Sequence, residues 1–367
     1  MAEPLKNIYN KTFFENFTAV AKQVIPQFNE KAFLEQVLDD NWAEKELKQR
    51  MRHVALILNT HLPGNFKNKL ATIIQLIKQL KASGIKGGFE YMFLPDFVEQ
   101  FGLDDWKISL RAMETITQFT SCEFAIRPFL LKHQDEVMKQ MEVWSKHPHP
   151  HVKRFASEGC RPRLPWAIAI PSLKKDPSTI FPILENLKND NSLFVRKSVA
   201  NNLNDIAKDH PDLVADLVKS WKGQSEHTDW IIRHGCRTLL KKAHPSTYQL
   251  FNLNVTADCV VSNLKLSKSN LRIGDRLGFS FHLKTGSKSS RLRLEYAVYY
   301  VKAGNKYSRK LFQLSESTFA PSKLYSFKKE QRFENFTTRK HYPGIHTIAI
   351  VVNGKELATK DFMLTNE

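Results

Sequence analysis

The hydrophobic pattern changes period once along this chain, and that change limits the available folds more than any other feature. Up to about residue 250, apolar residues recur at i, i+3, i+4 and i+7, as in KAFLEQVLDDNWAEKELKQRMRHVALILNTHL and FKNKLATIIQLIKQLK. This is the spacing of helices that bury one face. From about residue 258 several segments alternate apolar with polar instead, among them RLGFSFHLK, RLRLEYAVYYVK, LYSFKKEQRF and GIHTIAIVV. They are rich in β-branched and aromatic residues, and turn-forming SKSN, KTGSKSS, KAGNK and VNGK separate them. A helical period and a two-residue period bury different faces. The expectation is therefore multidomain: an all-α domain over 1–255 and an all-β domain over 258–367. At 367 residues the chain also exceeds the usual size of a single core.

The helical half carries a repeat. Breaks fall at Pro26, Pro63-Gly64, Gly87-Gly88, Pro148/Pro150 and Pro162/Pro165, as short interhelical connections require. Three segments align without gaps: VKRFASEG from 152, VRKSVANN from 195 and IRHGCRTL from 232. Their offsets of 43 and 37 residues bracket the period of HEAT-like helical hairpins. The first and fifth positions of each motif are expected to be buried: Val152/Ala156, Val195/Val199 and Ile232/Cys236. Stacked hairpins of this kind form a solenoid with a concave face.

The third position and its i+4 and i+8 companions then share an outer face. It reads Arg154 and Glu158; Lys197, Asn201 and Asp205; His234, Thr238 and Lys242. Side by side these make a polar, mostly basic stripe containing two acids. Solvent alone selects such a face on any one helix, and Arg154–Glu158 also reads as an ordinary i,i+4 ion pair. The continuation GCRPRLPW adds Arg161, Arg163 and Trp166 in a Pro-constrained stretch, and Trp230 begins the third aligned helix.

Seven candidate strands after residue 258 point to an antiparallel sandwich of immunoglobulin-like type, without the Cys–Trp–Cys hallmark. The net charge of +18 favours a polyanionic partner, nucleic acid above all. From 258 onward, 20 Lys and Arg stand against 9 Asp and Glu, so the smaller domain is the more basic per residue. Its clusters Arg291/Arg293, Arg309/Lys310, Lys328/Lys329 and Arg339/Lys340 are expected to grip phosphates.

Other chemistries find less support. No apolar run approaches the roughly 20 residues of a membrane span. The start MAEPLKNIYN lacks a secretory leader's basic and apolar regions. Cys122, Cys160, Cys236 and Cys259 are widely spaced, so neither a disulfide framework nor a zinc site is expected, and a reducing cytoplasm fits. His147, His149 and His151 alternate with prolines, which prevents i,i+4 metal ligation and favours a helix-starting loop. No nucleotide-binding GxxxxGK[ST] loop is present, and Cys160 has no triad-like spacing.

At the level of motifs, RFASEGCRPRLPWA, VRKSVANNLNDIAKDHPDLV, TDWIIRHGCRTLLKKAHP and the N-terminal AEPLKNIYN resemble the AlkC-type DNA alkylation repair glycosylases. The likeness covers roughly residues 1–250, and some members of that family carry an immunoglobulin-like C-terminal domain. The resemblance implies a HEAT-like solenoid that acts on duplex DNA. It implies removal of cationic 3-methyladenine and 3-methylcytosine without base flipping, by a cytoplasmic monomer associated with the nucleoid when bound to DNA, with no cofactor or metal. It assigns catalysis to Glu158 and Asp205, with Glu123 of SCEF, at the end of an upstream helix, as a further acid. Trp166 and Trp230 would flank the lesion; Arg154, Arg161, Arg163, Lys197 and Arg233 would contact the DNA backbone. The competing class is a basic HEAT-repeat scaffold or DNA-binding module with no active site.

Overall fold

The computed structural model describes residues 3–255, 258–335 and 340–366. Sixteen α-helices run through the described residues, beginning with α1 Lys11–Val24, α2 Glu30–Val37, α3 Leu47–His61, α4 Phe66–Ala82, α5 Phe93–Phe101 and α6 Trp106–Ile116. Next come α7 Ile126–Lys132, α8 Gln134–Ser145, α9 Pro150–Gly159, α10 Pro171–Lys175, α11 Phe181–Leu187 and α12 Leu193–Ile206. The last four are α13 Pro211–Trp221, α14 Glu226–Gly235, α15 Arg237–Lys241 and α16 Pro245–Leu250. Two compact units divide the chain: Met1–His210 with Ser220–Gly235, and Pro211–Lys219 with Cys236–Glu367. The expected boundary at 255–258 marks the change of secondary structure; the second unit begins earlier, taking α15, α16 and most of α13.

In the first unit, local chemistry starts several helices where the sequence supplies a cap. Asn10, Asn29 and Asn65 each accept from a backbone N–H three residues on, satisfying a donor that the first turn leaves open. The histidine run does the same for α9. His147 Nδ1 accepts from the His149 N–H, and His149 Nδ1 from the His151 N–H, while Pro150 opens the helix.

The three aligned segments fall on α9, α12 and α14, and α12 packs against both of the others. Val152, Ala156, Val195, Val199, Ile232 and Cys236 are all fully buried, as the repeat requires. A second regularity ties the partner helices. Trp144 on α8 donates to Glu114 on α6 at 2.6 Å, and Trp221 donates to Glu185 on α11 at 2.7 Å. The third repeat departs from the expectation, because its helix is interrupted at Cys236. His234, Thr238 and Lys242 therefore do not share one continuous helical face. At the break, a Cβ on Gly235 would stand 3.1 Å from Leu203 Cβ, so the glycine lets α14 approach α12 closely.

The second unit contains eight strands among the described residues, one more than the sequence pattern indicates: β1 Cys259–Leu266, β2 Asn270–Arg272, β3 Arg276–Thr285, β4 Ser290–Val301, β5 Tyr307–Phe319, β6 Leu324–Arg332, β7 Gly344–Val352 and β8 Lys355–Thr365. The additional element, β2, is three residues long and pairs parallel to β8, too short to show alternation. The sheets are ordered β1-β3-β6 and β2-β8-β7-β4-β5. Phe279, Phe281, Tyr296, Val298, Ile348, Ile350 and Phe362 fill the core between them, the alternate positions that a sandwich buries. VNGK forms the β7–β8 turn, with φ 45° at Asn353 and 80° at Gly354, the geometry favoured by Asn-Gly hairpins.

Candidate active site

Glu158 occupies the last turn of α9, and Arg154 stands one turn before it. Asp205 occupies the last turn of α12, so stacking two consecutive repeats brings the ends of both helices together. The chain leaving α9 turns back at once, and its Arg161 side chain enters the gap. Arg161 Nη1 lies 2.5 Å from Glu158 Oε1, while Nε donates to Asp205 Oδ2 at 2.8 Å. Glu158, Arg161 and Asp205 are only 5%, 6% and 2% exposed. Burial disfavours the guanidinium charge, but Glu158 and Asp205 more than offset it, so the group is held above its ordinary value.

The network extends both ways. Arg154 reaches Glu123 at 2.5 Å and Glu158 at 3.9 Å, and donates to Ser121 Oγ at 3.0 Å. Ser121 in turn donates to Glu123 at 2.7 Å, and the Arg154 guanidinium lies 4.7 Å from the Phe194 ring centroid. At the other end Lys208 donates to Asp205 Oδ1 at 2.8 Å. Glu123, Arg154, Glu158, Arg161, Asp205 and Lys208 thus alternate in sign along one line. Glu123 lies in the turn between α6 and α7, rather than at the end of the upstream helix.

The segment after α9 is held from beneath by a buried cation. Arg127 on α7 donates to Gly159 O, Arg161 O and Ile168 O at 2.8, 2.6 and 2.8 Å. Burial lowers this guanidinium to about 10; three main-chain carbonyls, that of Gly159 at the negative end of α9 among them, supply its solvation. Burial also raises the neighbouring Cys160 thiol to about 12, consistent with packing rather than nucleophilic use. At the tip of the segment Trp166 adopts φ 65°, a left-handed conformation costing an L-residue on the order of 1–2 kcal/mol. Its indole is 63% exposed and meets Phe89 edge-on, with centroids 6.5 Å apart.

The remaining expected residues spread around this centre. Arg163 forms a forked pair with Asp209 at 2.9 and 2.6 Å, which holds Asp209 below the usual carboxylate range. Lys197 is exposed on α12, and Arg233 is half-buried on α14. Trp230 is also on α14, one turn inside its start, its ring tilted by 37° against His234 with centroids 4.1 Å apart and the Arg196 guanidinium 5.8 Å from its ring centroid. The structure therefore gathers Glu123, Arg154, Glu158, Arg161 and Asp205 into one network. Arg161, expected at the DNA backbone, is turned inward with its donors committed to carboxylates.

The sequence reading missed Lys208, Ser121 and Arg127. Lys208 had a signal, three residues after Asp205, and Ser121 precedes Glu123 by two. Arg127 had none, because its partners are main-chain carbonyls remote in sequence. The basic clusters of the second unit also need correcting. Arg293 is 3% exposed and paired to Glu295 and Glu316, Arg291 to Glu316, and Arg309 to Glu356. Such pairing consumes the charge these residues were expected to offer phosphates. Arg339 lies outside the described residues. Lys265, Lys328 and Lys329, by contrast, are exposed and line a 700 Å³ groove on the three-stranded sheet.

Among the described residues no helix is long and apolar enough to cross a membrane. Residues 94–239 match the family model described as DNA alkylation repair enzyme, and residues 260–366 match that of the C-terminal Ig-like domain of uncharacterised protein YhaZ. Protein YhaZ of Bacillus subtilis (strain 168), itself described as uncharacterized, is 41% identical over 98% of this chain and 99% of its own length. The solved structure of the Pseudomonas fluorescens alkylpurine DNA glycosylase AlkC, bound to DNA containing an abasic site analog, is 35% identical. It superposes with a TM-score of 0.93 over 99% of this chain and all of its own. The likeness spans both the helical region and the strand-rich tail, and on that ground the chain belongs to the AlkC-type branch of the DNA alkylation repair enzyme family.

Proposed function

We propose that this protein is a monofunctional DNA glycosylase that hydrolyses the N-glycosidic bond of cationic N3-alkylated bases, 3-methyladenine and 3-methylcytosine, in duplex DNA without flipping the base. The observation that carries this reading is the Arg161 bridge between Glu158 and Asp205, which fixes two carboxylates side by side. A structural ion pair needs one acid. Two acids on one guanidinium, in consecutive repeats and in a family of alkylation repair enzymes, form a preorganised centre.

The chemistry suits such a centre. Alkylation at N3 leaves the base cationic, so it departs as a neutral molecule and needs no proton from a general acid. This differs from ordinary glycoside hydrolysis and its acid–carboxylate pair. As the bond to C1′ breaks, its electrons neutralise the base and positive charge develops on the sugar. Glu158 and Asp205 stabilise that charge, and one of them accepts a proton as water adds to C1′. Glu123, through Arg154, completes the acidic side of the centre. Trp166 and Trp230 offer aromatic faces to a cationic base or its sugar. Lys197 and Arg233 supply positive charge toward phosphates, whereas Arg154, Arg161 and Arg163 belong to the carboxylates they pair with.

Chromatography of the supernatant after incubating the purified chain with methylated duplex DNA tests this reading. Release of free 3-methyladenine and 3-methylcytosine above the spontaneous rate is expected. Release no faster than the protein-free control removes the proposal in favour of a non-catalytic DNA-binding repeat protein.

A further inference from the structure

Lys48 stands on α3, far from the carboxylate centre in sequence, yet its ammonium ends on the segment that carries Trp166. Nζ donates to the Trp166 carbonyl at 2.8 Å and lies 5.2 Å from the Phe124 ring centroid. The acceptor belongs to a residue at φ 65°. A bulky L-residue rests there only where its surroundings hold it, and such positions concentrate at functional sites.

Two cations share that holding. Arg127 takes the carbonyls of Gly159, Arg161 and Ile168, which secures both ends of the segment. Lys48 takes the carbonyl at its tip. With Arg127 alone, the ends stay in place while the peptide after Trp166 keeps only the 3.2 Å bond from the Ala167 N–H to Leu164 O, and its carbonyl loses the donor that fixes its direction. Relaxation of that backbone toward the right-handed or extended region redirects the Cα–Cβ bond and carries the indole away from Phe89.

We propose that Lys48 is a positioning residue, holding the Trp166 backbone so that the exposed indole faces the lesion in a single pose. The inference rests on the glycosylase reading and on Trp166 as its lesion-facing aromatic. It assigns a role in the reaction to α3, which precedes the segment 94–239 that matches the alkylation repair model.

A double-mutant cycle on the full-length chain tests it, with Lys48→Met, Trp166→Ala and the two combined. Single-turnover release of 3-methyladenine is measured for each, together with binding to unmethylated duplex across a salt series. Misplacing a reacting group by about an ångström costs up to roughly a hundredfold in rate, and a partly supported indole should cost less. We expect Lys48→Met to slow release about tenfold, to leave the salt slope unchanged and to add nothing in the Trp166→Ala background. Lys48→Arg, which keeps a donor and the charge, should restore most of the rate. Wild-type release by Lys48→Met overturns the proposal. So does an undiminished effect without the indole, or a flattened salt slope, which would make Lys48 a phosphate contact.

Fluorescence separates this outcome from failure of the glycosylase reading. The Trp166 contribution, isolated by difference from Trp166→Phe, should become more accessible to acrylamide in Lys48→Met. An unchanged contribution means that Lys48 does not hold the indole, whether or not the wild-type protein releases base.

Discussion

Arg161 and Asp205 are 44 residues apart in sequence and 2.8 Å apart in space, Nε to Oδ2, and their pairing fastens one repeat to the next at the point where Glu158 also converges. The bridge is buried, so its members depend on one another. Removing one partner from such a network leaves an uncompensated charge, typically worth about 3–5 kcal/mol. Arg161→Met should therefore lower stability by that order and abolish excision. Arg161→Lys should recover part of the stability and little of the activity, because an ammonium lacks the planar fork that serves two carboxylates. Urea denaturation alongside single-turnover release checks both; an active, stable Arg161→Met would remove the bridge from the mechanism.

Glu158→Gln and Asp205→Asn should each slow excision by at least about tenfold. An amide keeps the shape and still accepts from Arg161 but carries no charge to stabilise the sugar. Each should also cost about 1–3 kcal/mol of stability, so rates are compared at a temperature where circular dichroism shows both variants folded. Near-wild-type single-turnover rates in both would sink the catalytic assignment.

No covalent protein–DNA adduct should form under borohydride. A lyase needs an amine free to attack C1′, whereas Lys153 is engaged with Asp190 at 2.8 Å and Lys208 with Asp205 at 2.8 Å. Lys197 points from the exposed stripe. A trapped species that survives denaturing electrophoresis would contradict the monofunctional mechanism.

Glu99 predicts a pH dependence of folding. Burial and then the Asp96 charge raise its carboxyl to about 7, against opposing pulls from Arg52 and Lys48. Between its ordinary value of 4.5 and about 7, the folded chain retains a proton that the unfolded chain has lost. The unfolded state then binds fewer protons, so stability contributed at this site falls as pH rises through that window, on the order of 2–3 kcal/mol. Glu99→Gln, which still accepts from Arg52, should flatten the profile and be the more stable form at pH 8. Parallel melting curves from pH 4 to 8 for both proteins would refute this.

Lys265, Lys328 and Lys329 should supply sequence-independent DNA affinity from the second unit. Replacing all three by Gln should weaken duplex binding and reduce the slope of log affinity against log salt by about one for each phosphate no longer neutralised. Single-turnover excision at saturating protein and low salt should persist, since Glu158 and Asp205 lie in the first unit. Substitution is the cleaner test than truncation at 258, because α15, α16 and most of α13 belong to the unit that truncation would disrupt. An unchanged salt slope would leave these lysines without a role in DNA binding.

The sequence by itself determined what repeats along the chain. The switch from helical to alternating period, the prolines between helices, and the burial of Val152, Val195 and Ile232 are local or periodic properties, and each is legible from the residues alone. The same holds for the candidates Glu158 and Asp205, which periodicity placed on equivalent faces and the motif resemblance named. Only the tertiary structure decided which charges meet. Guanidinium and carboxylate carry no record of their partner in sequence, so Arg161 read as a phosphate contact until folding turned it onto Asp205. Arg293 read as an exposed base until the fold buried it between Glu295 and Glu316. Arg127 and Lys48 were invisible for the same reason, since they act on main-chain carbonyls that become neighbours when distant helices pack. Side-chain burial follows the period of the backbone, whereas pairing over 44 residues follows the register in which one repeat stacks upon the next.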